Sequence, residues 1–105
     1  MDDKEVFKYI KKSLLKTNIS IISTVVDLYG IHQEIRTGKI TDIINGNQTD
    51  ALNNINIHYQ CDSNNYKIKK LNIKDLIDIM QNKETKKIIP DKFKTDYILI
   101  KKADI

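Results

Sequence analysis

His58, Cys61 and Asp62 sit close together in the sequence, and His32 is the one other histidine. Imidazole, thiolate and carboxylate are all donors that zinc accepts, but a zinc site needs three or four of them at fixed geometry. With a single cysteine and no second ligand pair, the sequence predicts no metal centre. On a strand, His58 points away from Ile57 and Tyr59, toward solvent. Cys61 would be a nucleophile only if a neighbouring base lowered its pKa; a small thiol at a strand end is the simpler expectation. Asp75 and Asp78 would share one face of a helical turn. Two carboxylates do acid–base work only in a cleft that shifts their pKa values, and capping with solubility explains them more simply. The chain has no glycine-rich phosphate cradle and no G-x-S-x-G motif. These residues point to a protein that is not an enzyme and that uses no cofactor.

What remains is charge. The net charge is +4. Residues 1–52 carry seven basic and seven acidic groups, whereas residues 53–105 carry eleven and seven, so the excess lies in the second half. A basic region attracts phosphate. Lys67, Lys69, Lys70 and Lys74 are therefore the candidate nucleic-acid contacts. Tyr59 and Tyr66 lie close enough in sequence to offer stacking faces, as single-strand binders do. Alternation opposes that use, because it gives both tyrosines the inward phase of Ile57 and Ile68. Arginine, the preferred group for bidentate base and phosphate contacts, occurs once. Any nucleic-acid binding is expected to be weak and nonspecific.

The elements that would hold these residues follow from spacing. Residues 2–16 predict a helix: Asp2 and Glu5 make a capping-box-like start, and Val6, Phe7, Ile10, Leu14 and Leu15 recur on one face. Phe7, Ile10 and Leu14 are expected to be buried. Residues 19–29 predict a strand in which Ile22, Thr24, Val26 and Leu28 alternate with their neighbours. A tight turn after Gly30 leads to a second strand at 33–44, with a bulge or bend at Gly38. Asn45–Gly46–Asn47 opens a polar loop that runs to about Asn53. Ile55, Ile57 and Tyr59 mark a third strand, and Tyr66 to Leu71 a fourth. Asn72 would cap a single helical turn before a short fifth strand at Ile77 and Ile79. Residues 81–96 read as lysine-rich loop around Pro90, and residues 97–100 as a short strand candidate.

The order of one helix and then four or five short strands predicts a mainly β, α+β domain: a small SH3-like or Sm-like barrel. One domain spans 1–105, with the helix at 2–16, the barrel at about 19–80 and a C-terminal extension at 81–105. Tyr29–Gly30, the run Gly38–Ile43, Ile55–Asn56–Ile57 and the run Leu71–Ile79 resemble the YolD-like family of small bacterial and phage proteins over about residues 2–80. The resemblance implies a small barrel, sometimes encoded beside translesion polymerases, and supplies no catalytic residues.

The skew toward Ile, Lys and Asn is what an AT-rich genome produces. One cysteine suits a reducing compartment. No apolar run approaches the ~20 residues that cross a bilayer, and no signal-peptide pattern follows the charged start. A cytoplasmic protein without membrane contact is expected. Its function is expected to be that of an interaction module: a nonspecific nucleic-acid binder, or an accessory to a DNA repair or replication enzyme. The alternative is a protein-binding regulator or inhibitor from a phage or mobile element. Association of copies through strand edges is a further expectation.

Overall fold

The computed structural model describes residues 2–49 and 51–103. Among the described residues the order is α1 (Asp3–Leu14), β1 (Asn18–Asp27), β2 (Gly30–Asn45), β3 (Ile55–Cys61), β4 (Asn64–Leu71), α2 (Ile73–Met80), β5 (Thr85–Pro90) and β6 (Lys94–Lys102). The six strands form one antiparallel sheet in the order β4-β3-β2-β1-β6-β5. The fold is thus α+β and mainly β, with six strands where the sequence suggested four or five. A cleft of about 260 Å³ is lined by residues of all six strands, so the sheet curls into a half-barrel.

Both helices begin as their sequences dictate. The Asp2 carboxylate accepts from the Glu5 N–H at 2.9 Å and caps α1. Asn72 and Asp75 form a complete capping box at α2, each side chain accepting from the other's backbone N–H at 2.9 Å. The expected short fifth strand at Ile77 and Ile79 is instead the rest of this helix. The cap holds its start, and Leu76 and Ile79 then fall on one buried face.

Both helices pack on the concave side of the sheet. Ile10 and Leu14 of α1 and Leu76 and Ile79 of α2 meet Ile19 and Ile21, Ile40 and Ile43, Ile55 and Ile57, Ile68 and Leu71, and Ile100. Phe7 is only half-buried, at the core margin beside Leu52. Lys11 bonds Asp42 at 3.2 Å and ties α1 to β2. The backbone N–H of Ile43 and then Lys11 hold the Asp42 carboxyl below its ordinary pKa, against the opposing effect of burial.

Within the C-terminal extension expected at 81–105, Thr85–Pro90 and Lys94–Lys102 are strands of the sheet. β6 pairs along β1 from Ile19↔Lys102 to Asp27↔Lys94, and β5 pairs with β6. Lys87 bonds Asp75 at 2.9 Å, and Thr85 donates to the Asp75 carbonyl at 3.2 Å, so β5 is also fastened to α2.

Two local expectations change. The first hairpin turns at Leu28–Tyr29, before Gly30, because Asp27 pairs with Gly30 and its carboxylate accepts from the Tyr29 N–H at 2.8 Å. Gly30 carries the positive φ of 129°. The register irregularity of β2 falls between Ile40 and Asp42, not at Gly38. Gly38 is required for another reason: a Cβ there would stand 2.6 Å from the Gln60 carbonyl oxygen and 3.0 Å from the Tyr59 ring.

Two stability outcomes follow. Gly38→Val should cost about 1–3 kcal/mol by overpacking, seen as a lower midpoint in urea unfolding; an unchanged midpoint would contradict the crowding. Leu14→Ala should cost roughly 2–5 kcal/mol, whereas Tyr9→Ala on the exposed face should stay within about 0.5 kcal/mol. Equal losses in the same titration would mean that α1 is not seated as described.

Candidate functional site

The four lysines singled out in the sequence line one border of the molecule. Lys67, Lys69 and Lys70 lie on β4, an edge strand, and Lys74 lies in the first turn of α2; all four are exposed. Lys70 has a positive φ of 65°, next to the register shift between β3 and β4. Lysines and an irregular backbone on an edge also blunt it against pairing with another chain.

Tyr59 lines the same cleft as Lys67 and Lys69, but as a buried ring and not as an exposed stacking platform. Tyr59 and Tyr66 pair across β3 and β4 on the concave side, with ring centroids 5.5 Å apart. Tyr59 is buried at 2% exposure. The one arginine, Arg36 on β2, sits 4.1 Å over the Tyr66 ring and bonds Glu34 at 2.6 Å. Burial pushes the Tyr59 phenol above its ordinary pKa, while the hydrogen bond and charge of Arg36 pull it partway back. Across the same cleft, the Ser23 hydroxyl donates to Asp96 at 2.8 Å. The cleft floor is therefore polar and paired through Arg36–Glu34 and Ser23–Asp96, while Lys67 and Lys69 stand in its lining without an ion pair among the described residues.

The other candidates are dispersed. His32 lies near the outer end of the first hairpin, 3.5 Å from Asp27, and is paired with Val25. His58 lies on β3 between Asp42 and Lys67. Cys61 ends β3 and packs half-buried against the core. Among the described residues no three His, Cys, Asp or Glu side chains converge on a common point. Asp75 is committed to its cap and to Lys87.

The surface that sequence reasoning missed is the convex face of the sheet. Inward positions on β1 are Ile19 and Ile21, so Ile22, Thr24 and Val26 face outward. The pairing lines them up with Ile35, Gln33 and Ile31 on β2 and with Leu99, Tyr97 and Thr95 on β6; Tyr97 in turn meets Ile88 on β5. Neither helix covers this side. Ile31 is 72% exposed, Ile35 and Ile88 are each 63%, and Tyr97 is 45%. At the far end, the two hairpin turns stand together, and Leu28, Tyr29 and Phe93 border a hollow of about 410 Å³. The sequence did carry a signal. Ile21–Ile22 and Val25–Val26 are consecutive apolar pairs, and a strand with one wet face should alternate.

No family model matches this chain, and comparison with curated proteins and with solved structures gives no match. Among the described residues no helix is long and apolar enough to cross a membrane.

The cleft makes one prediction. In Arg36→Met the burial effect on Tyr59 loses its opponent, so the phenol should ionise at higher pH than in the parent protein. Absorbance titration of tyrosinate reads this directly. A Tyr59 transition that moves to lower pH would contradict the arrangement.

Proposed function

We propose that this chain is a binding module rather than an enzyme, and that the outer face of β2-β1-β6-β5 docks another protein. One observation carries the reading. Among the described residues ten large hydrophobics are exposed, and eight of them fall between Val26 and Ile35 or between Ile88 and Tyr97. Contiguous exposed apolar surface of this kind marks interaction sites. The non-enzymatic part is supported by how the polar groups are used, since Asp75 caps α2 and holds Lys87 while Arg36 is paired with Glu34. Such a module acts as a regulator or inhibitor by occupying its partner. The YolD-like and SH3-like or Sm-like kinship of residues 2–80 belongs to the same proposal, supported by one helix followed by an antiparallel meander.

The test is site-specific photo-crosslinking in cells that make the protein. A photo-reactive residue at Ile35 or Tyr97 should yield discrete protein adducts, and one at exposed Lys12 should not. Adducts from position 12 alone, or from none of the three, would refute the docking face.

A second reading is favoured by the lysine border. Lys67, Lys69, Lys70 and Lys74 are exposed, and none of them forms an ion pair with a described residue. Weak nucleic-acid binding there, with Kd about 10⁻⁴ to 10⁻⁶ M, should fall with salt at a log–log slope of about −0.7 to −0.9 per phosphate neutralised. Changing Lys67, Lys69 and Lys70 together to glutamate should abolish it. No binding to DNA or RNA at low salt would dismiss this reading and leave the docking face untouched.

A further inference from the structure

We infer that the occupant of the outer sheet face is a second copy of this chain, packed face to face across a two-fold axis near Thr24 and Tyr97. This rests on the docking reading above and names its partner. The exposed parts of Val26, Ile31, Ile35, Ile88 and Tyr97 come to roughly 500 Å², at the upper end of the ~300–600 Å² of the largest patch on a typical monomer. With half-buried Ile22 and Leu99 and a polar rim, the face approaches the ~800 Å² per partner of a standard interface.

In a two-fold interface each patch must fit itself. The four central residues of this face, Ile22, Thr24, Leu99 and Tyr97, are uncharged and are bordered by Ile35, Gln33 and Ile88, with Lys86 beside Leu99 on the outermost strand. An axis lying between the sheets and crossing the strands near Thr24 stacks β1 on β1 in reverse. The level of Ile22 then meets the level of Val26 in the second copy, apolar on apolar. Two sheets packed this way hold their strands within about 30° of alignment, as in β-sandwiches.

The strand edges serve the same association poorly. β4 presents Lys67, Lys69 and the left-handed Lys70, and β5 presents Lys86 and Pro90. Lysine, irregular backbone and proline are the devices that block edge pairing.

Sedimentation equilibrium of the full chain tests the inference. The parent protein should show a reversible monomer–dimer equilibrium with Kd on the order of micromolar. Ile35→Glu should weaken it at least about tenfold, with an unchanged far-UV circular dichroism spectrum. A cysteine pair supplies an independent reading. Thr24→Cys in a Cys61→Ser background should give a disulfide-linked dimer with oxidised glutathione, because a residue near the axis meets its own copy. Lys12→Cys in that background should stay monomeric. A parent protein that is monomeric throughout, or a dimer that survives Ile35→Glu, or crosslinking at 12 as strong as at 24, overturns the second copy as occupant. A monomer that still gives adducts at Ile35 with other proteins would spare the docking face; a monomer without adducts would end both.

Discussion

Ile10 and Leu14 on one helix, and Leu76 and Ile79 on the other, are packed to essentially zero exposure against the concave side of the sheet. Everything else in the molecule depends on that contact. Burial of this apolar layer is the main force available to a domain of this size. It sets which side of every strand faces inward. It also curls the sheet, because the strands wrap around two short helices rather than lie flat. Helices of twelve and eight residues cover one face of six strands and no more. The uncovered face follows directly from this two-layer arrangement.

The polar contacts fasten the layers at their margins. Lys11 with Asp42 joins α1 to β2, and Lys87 with Asp75 joins β5 to α2. Asp75 has three roles at once: it closes the capping box, its backbone carbonyl accepts from Thr85, and its carboxylate holds Lys87. Inside the cleft, Arg36 rests on Tyr66 and lies within reach of the Tyr59 hydroxyl, so the only arginine is a structural cation of the concave side. Gly38 lets the Tyr59 ring and the Gln60 carbonyl close over β2.

Helix α1 was legible in the sequence because cap and apolar period agree, from Asp2 through Leu14. The first hairpin was legible through its β-branched runs, although Asp27 pairing with Gly30 moved the turn back to Leu28–Tyr29. Strand β5 was not legible. Its inward row is Thr85, Lys87 and Ile89, and a lysine inside is tolerable only because Asp75 waits there, twelve residues earlier and on another element. Its register also depends on β6, which in turn depends on β1 at the other end of the chain. Such nonlocal pairing leaves no period to read. The docking face was hidden for a related reason. Both rows of β1 mix apolar and small polar residues, so alternation offered two equivalent phases, and Ile22, Thr24 and Val26 were as good an inner row as Ile19 and Ile21. Only the position of the helices decides between them.

The chain's twenty isoleucines provide probes on both faces, and methyl spectra recorded with a soluble paramagnetic agent read which face is wet. At a dilution where the protein is monomeric, the methyl signals of Ile31, Ile35 and Ile88 should broaden strongly. Those of Ile40, Ile43 and Ile57 should remain sharp. Equal protection of the two sets would mean that the outer face is covered within the single chain, and would contradict the account at its centre.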